Sequence, residues 1–391
     1  MPSYTLYFQN RNLLMTKLLV VFAAALVLAY LSEQNTRATI AAGYRYTVWH
    51  DWAYILLVTI LVLFAGLRTQ YNDTWNYITG FNNCAEFSEW ISNPKSLNIF
   101  MNPLFYGYQS FLKTWTHNPY LLVFTTSLLS QICLLRFIKR YSEHFTFSIF
   151  IYFTLGTFVF SLAAIKQIVA MAILTLAFPC LERKQWVRYY MIVFVAMLVH
   201  TYALAFAVLP FFRAKPWSLF TFLFIAVVAA VMMTFEETIT AFMEQANDLG
   251  KTLADFEVFS DTTINIFRLA VYAVPPLISL IFRRWVLHDT NGMANTLIHM
   301  SIISLAFMTM GTQAGANMFG RMGNYFELGT ICYLPTMLEK TFDARSYRLI
   351  SVMACVCFIG FFVYANAINM DFGTQYKAMS LWEFISRLFG A

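Results

Sequence analysis

Eleven apolar stretches, each between 16 and 24 residues long, follow one another along the chain at 13–31, 52–67, 119–135, 145–164, 165–181, 189–212, 217–235, 264–282, 294–310, 322–338 and 349–365. A helix needs about 20 residues, within a range near 17 to 25, to cross the roughly 30 Å hydrocarbon core of a bilayer. Only a backbone that satisfies its own hydrogen bonds is stable there. The expected fold is therefore all-α and polytopic, an integral membrane protein of about 10 to 12 transmembrane helices forming a single domain over residues 1–391. Charged residues make up 12% of the chain, about half the share of a soluble domain, which excludes a water-soluble enzyme. Its 40 Phe, 22 Tyr and 9 Trp exclude disorder, and its six cysteines, with no CxxC pair, exclude a disulfide scaffold. No cleavable signal sequence is expected, because the first apolar run lacks a small-residue cleavage site. The Lys and Arg residues are scattered, so no nucleic-acid partner is expected.

Those cations are better read as markers of sidedness, since cytoplasmic loops collect Lys and Arg. Arg136, Lys139 and Arg140 mark one loop as cytoplasmic, and Arg183, Lys184 and Arg188 mark the next but one. If 189–212 crossed once, Arg213, Lys215, Arg283 and Arg284 would fall outside, and the loop Glu236–Asp261, with seven acids, would fall inside. A hairpin that enters, turns near His200 and returns removes every conflict. Each limb of about 11 residues makes about 16 Å of helix, which reaches the bilayer midplane. Non-helical backbone at that depth must be buried in protein or line a wet cavity, so the sequence predicts a re-entrant hairpin with His200 at the floor of an extracytoplasmic cavity. The segments 68–118 and 236–263 become extracytoplasmic loops over that cavity. Within the first, Pro103–Trp115 has the aromatic, amphipathic character of an interfacial helix.

Ionisable groups beside or inside apolar spans are expensive and mark function. On the extracytoplasmic side these are Arg68, Asp73, Lys166, Arg268 and Arg321, with His200 deeper. Four cations from separate spans would suit a phosphate or pyrophosphate. Each alone could equally set topology or snorkel to the interface, Asp73 could pair with Arg68, and Glu327 could pair with Arg321.

In order along the chain stand Arg68, Asn72-Asp73 and Tyr77; Asn102-Pro103; Lys166-Gln167; Val199-His200-Thr201-Tyr202; Asn265 to Arg268; Pro275-Pro276; and Phe319-Gly-Arg321 through Asn324-Tyr325-Phe326. Taken as a series over about residues 52–340, they resemble the EpsG family of Wzy-like bacterial polysaccharide polymerases. The chain departs from the family pattern at Lys166, where Arg is usual, at Asn72, where Gly is common, and at Asn102, where Glu is frequent. Lysine keeps the charge but loses bidentate phosphate recognition.

The resemblance implies polymerisation of lipid-linked oligosaccharide units at the outer face of the bacterial cytoplasmic membrane. A growing glycan on undecaprenyl pyrophosphate would pass to the nonreducing-end hydroxyl of an incoming unit. Asp73 and His200 are the candidate catalytic residues, His200 for proton handling and Asp73 for sugar contact. Arg68, Lys166, Gln167, Arg268, Arg321, Asn324, Tyr325 and Tyr77 are the candidate pyrophosphate and sugar ligands. With no DxD pair or outward His cluster, a metal-independent glycosyltransferase without cofactors is expected. Its partners would be the lipid-linked substrate, membrane lipid, and a flippase and chain-length regulator of the same pathway. The alternatives are a lipid-linked oligosaccharide flippase, which would be expected to show internal repeats, a single-addition glycosyltransferase using a polyprenyl-phosphate sugar, and a non-catalytic scaffold.

Overall fold

Asp51 shows how the first hairpin of helices is built. Helix α1 (Pro2–Ala41) precedes it, and Asp51 caps α2 (Trp52–Gly66) by accepting from the Tyr54 backbone N–H at 3.2 Å. The computed structural model describes residues 2–234, 264–313, 317–369 and 372–389. Each of the eleven apolar stretches contains helix. Among the described residues, five helices are long and apolar enough to cross a membrane, six if the bent pair 145–154 and 157–163 counts as one span, and five shorter apolar helices accompany them. The protein is thus a polytopic all-α membrane protein. The chain divides into two compact units, one comprising 1–96, 104–175 and 356–391, the other 97–103 and 176–355.

In the first unit, α3 (Thr74–Asn83), α4 (Phe87–Ser92) and α5 (Pro103–Trp115) lie within the segment expected to be a loop, and α5 has the predicted limits. Helix α6 (Tyr120–Tyr141) packs against α2, close enough that a Cβ on Gly66 would sit 2.8 Å from the Phe124 ring. Helices α7 (Phe145–Thr154) and α8 (Thr157–Ala163) meet at 51°, and the bend is made by Gly156 at φ +95°, a conformation side-chain-bearing residues rarely adopt. Helix α9 (Ile165–Thr175) follows after a single residue, Ala164.

The unit has two distinct ends. At one, Lys139 donates to Ser32 Oγ at 2.7 Å and lies 3.9 Å from Asp51, while Thr146 bonds Glu33. At the other, strand β1 (Arg68–Gln70) pairs antiparallel with β2 (Lys377–Ala378), and the Met379 N–H donates to Leu67 O at 2.9 Å. The amphipathic helix Leu381–Phe389 then lays Phe384 against Phe124, ring to ring at 4.8 Å. Arg136, Lys139 and Arg140 therefore lie towards the end away from Arg68, as the charge pattern requires.

Asp51 is buried, and although burial pushes its carboxyl up, the bonds from Ser32 (2.7 Å), Asn35 (3.0 Å), Tyr46 (2.8 Å) and Tyr54 N–H hold it below the usual carboxylate range. Its stabilising contribution is therefore complete above the unfolded value, about 3.9, and lost as pH falls through the lower folded value. Asp51→Asn is expected to flatten the acid limb of apparent melting temperature against pH below about pH 4. Parallel acid limbs in the two proteins would contradict this role.

The second unit contains the doubled-back segment. Helices α10 (Phe178–Glu182) and α11 (Trp186–Val199) end at His200, whose extended backbone (φ −153°, ψ 115°) leads into a 3-10 helix, Thr201–Phe211. Tyr189 Oη reaches Phe206 O at 2.7 Å, and the Arg213 guanidinium lies 5.5 Å from the Trp186 ring. In one straight helix residues 189 and 206 would stand about 25 Å apart, so the chain returns on itself. Its ends share a basic end of the unit, where Arg213 adjoins Gly292 and Asn295.

Helices α12 (Leu219–Met233), α13 (Ile266–Ile281), α14 (Arg283–Val286) and α15 (Gly292–Met310) follow. The expected loop 236–263 lies outside the described residues. The stretch 322–338 is not one span: α16 (Asn317–Asn324) breaks at Tyr325-Phe326 before α17 (Glu327–Thr341). The break turns Tyr325 towards His200 and leaves Glu327 as the first residue of α17, where the helix dipole favours a carboxylate. Helix α17 packs on α15 so closely that any Cβ at Gly329 would overlap Leu297 O. Lys340, at its far end, donates to His288 O at 2.9 Å. The final long helix, α18 (Ala344–Val363), runs from the second unit into the first.

Candidate active site

Arg268 stands in the first turn of α13, at the end of the second unit away from Arg283, Arg284 and Lys340. Asn265 caps that helix by accepting from Phe267 N–H at 2.8 Å, which fixes the turn that carries the guanidinium. Arg268 Nη2 donates to Asn324 Oδ1 at 2.7 Å and lies 3.7 Å from Glu327 Oε1. Tyr272, one turn on, places its ring 5.4 Å from the guanidinium and donates a short hydrogen bond to Glu327 Oε1. Asn324, Glu327 and Tyr272 are buried, whereas the Arg268 side chain keeps 33% of its surface accessible. The buried groups hold one partly exposed cation in a single orientation, which is the arrangement that recognises an anion without reorganisation.

Tyr325 links this group to the hairpin. Its ring is fully buried, its Oη is hydrogen-bonded to His200 Nδ1 at 2.8 Å, and the imidazole is half-buried. Phe206 stacks on Phe326 at 4.8 Å and fixes the return limb against the break. Asn102 Oδ1 accepts from both the backbone N–H and Oγ1 of Thr201 at 3.1 Å, pinning the residue after His200. Arg321, half-buried, lies one helical turn before Asn324. The second unit thus gathers five predicted residues: His200, Arg268, Arg321, Asn324 and Tyr325.

The first unit holds the rest. Lys166 opens α9, where its backbone N–H lies 3.4 Å from Tyr77 Oη and its Nζ donates to Tyr106 Oη at 3.2 Å. Tyr106, exposed at 40%, also lies under the Lys166 ammonium at 5.2 Å and was not singled out by sequence. Gln167 is buried beside Lys166 in sequence. Asp73 is half-buried ahead of α3 and makes no capping bond.

Arg68 does not pair with Asp73. Its guanidinium has no accessible surface and donates to Ala65 O, to Ser127 Oγ at 2.9 Å and to Thr74 Oγ1 at 3.3 Å. Burial pushes it down to about 10, so it remains cationic at neutral pH. In this position Arg68 ties the start of α3 to α6. Glu327, read from sequence as a partner for Arg321, is the carboxylate that sequence reasoning undervalued.

These features define the class: a polytopic α-helical membrane protein with a partly exposed, tightly held arginine beside a histidine at a non-helical turn. The chain belongs to the EpsG family, whose family model matches residues 51–380. That membership ties it to polysaccharide biosynthesis and to a polymerase-like function. A search of curated proteins and a search of solved structures each gave no match.

Proposed function

We propose that the chain is a polysaccharide polymerase of the bacterial cytoplasmic membrane, joining undecaprenyl-pyrophosphate-linked repeat units at the extracytoplasmic face. The observation that carries this reading is Arg268, held by buried Asn324, Tyr272 and Glu327 beside the His200–Tyr325 pair. Arg268 and Arg321 bind the pyrophosphate of the growing chain. The acceptor hydroxyl oxygen attacks the anomeric carbon, the bond from that carbon to the pyrophosphate breaks, and the electron pair leaves on the pyrophosphate oxygen that Arg268 neutralises. His200 takes the hydroxyl proton through Nε2, with Nδ1–H donated to Tyr325. Asp73, Tyr77, Lys166 and Gln167 keep the sugar- and phosphate-contacting roles that the family resemblance implies, while Arg68 positions α3. The reaction uses no metal, because a lipid pyrophosphate is already a good leaving group.

The test is purified protein in detergent with an authentic lipid-linked repeat unit, with and without EDTA, read as product length on a gel. A ladder of products that EDTA leaves unchanged is expected. A single added sugar would assign the single-addition reaction instead, an unchanged substrate would point to a transporter or scaffold, and loss of the ladder with EDTA would overturn the metal-free step.

A further inference from the structure

An apolar groove of about 320 Å³ runs along the first unit between α2 and α6, open on one side and walled by Val58, Val62, Leu128 and Ile132. Trp49 and Arg136 close one end of it. The Arg136 guanidinium lies 6.0 Å from the Trp49 ring and, among the described residues, has no carboxylate partner. Its neighbours differ: Lys139 is matched by Asp51, and Arg37 by Glu33 at 2.6 Å. The groove therefore joins an apolar wall, with Leu128 exposed at 39% and Ile55 at 44%, to one uncompensated cation at an aromatic rim. From Phe124 to Arg136 the wall is about 18 Å of helix, close to the hydrocarbon depth of one leaflet.

We infer that this groove is a binding site for an anionic glycerophospholipid, one acyl chain lying along Val62 and Leu128 and the phosphate on Arg136. Charge complementarity selects the anionic class, since a guanidinium with no carboxylate partner offers its fork of N–H donors to a phosphate. The end of the unit to which Arg136 belongs is the one away from Arg68 and β1, so the bound headgroup is not placed beside Arg68 and Asp73 of the same unit. The inference does not depend on the proposed polymerase reaction.

Native mass spectrometry of the full-length protein, titrated with phosphatidylglycerol or phosphatidylcholine, tests it. Phosphatidylglycerol is expected to bind more tightly, Arg136→Gln to weaken it about fivefold, and Arg140→Gln to leave it unchanged. Leu128→Trp, at an exposed position, is expected to block both lipids by filling the groove. Equal weakening by Arg136→Gln and Arg140→Gln would show surface charge alone and overturn the site, as would equal binding of the two lipids or full binding by Leu128→Trp. Preferential capture of a polyprenyl phosphate over phosphatidylglycerol would overturn the choice of occupant.

Discussion

Arg268→Ala is expected to lower the rate of polymer formation about 10²–10³-fold, the usual effect of deleting one preorganised group that stabilises charge developing in a transition state. The guanidinium is held by Asn324 at 2.7 Å and by Glu327 at 3.7 Å, so it does not reorganise as the pyrophosphate gains charge. Arg268→Lys keeps the charge but cannot span both Asn324 and a phosphate, and should recover only part of the rate. Alanine also strands the buried Glu327 carboxylate, a change that destabilises folded proteins by about 3–5 kcal/mol. The double variant Arg268→Met with Glu327→Gln removes both charges together. It is expected to fold, by size-exclusion profile and melting temperature, and to remain inactive. Normal polymer from a folded double variant would remove Arg268 from the reaction.

His200→Gln is expected to slow polymer formation about 10²–10⁴-fold, the range for loss of a positioned general base, with no loss of expression, because the half-buried imidazole is not part of the packed core. Tyr325→Phe separates base from scaffold. It leaves the stack of Phe206 on Phe326 intact and removes the 2.8 Å bond to Nδ1. In the proposed reaction Tyr325 acts as a positioning residue, and its loss should cut turnover about tenfold and displace the pH–rate profile, since the imidazole loses the partner that fixes its tautomer. An unchanged pH profile would restrict Tyr325 to packing.

The hairpin was legible because topology is written in clustered cations: only a returning 189–212 keeps Arg213 and Lys215 with Arg283 and Arg284, and Arg213 does pack on Trp186 at the hairpin's origin. The amphipathic helix Pro103–Trp115 was legible for a similar reason, its period being uninterrupted. The break at Tyr325-Phe326 was not, because average apolarity over 322–338 is unaffected by one turn of irregular backbone. The pairing of β1 with β2 joins three residues to two from opposite ends of the chain, too short for any alternating pattern. Arg68 was misleading for a physical reason. A cation next to a span end looks the same in sequence whether it faces substrate or is enclosed, and Ser127 and Thr74, which enclose it, carry no charge to announce the contact. Lys166 and Tyr77, each named from sequence as a candidate ligand, lie in contact, whereas Tyr106 was lost among the many interfacial aromatics.

The central claim is that a lipid pyrophosphate leaves as each glycosidic bond forms, with Arg268 holding it. The direct measurement is the lipid released by purified protein turning over an authentic lipid-linked repeat unit, quantified against new glycosidic bonds by chromatography and mass spectrometry. One undecaprenyl pyrophosphate per bond is expected, with release and bond formation falling together in Arg268→Ala. Release of a polyprenyl monophosphate, or bond formation that persists undiminished in Arg268→Ala, would contradict the account.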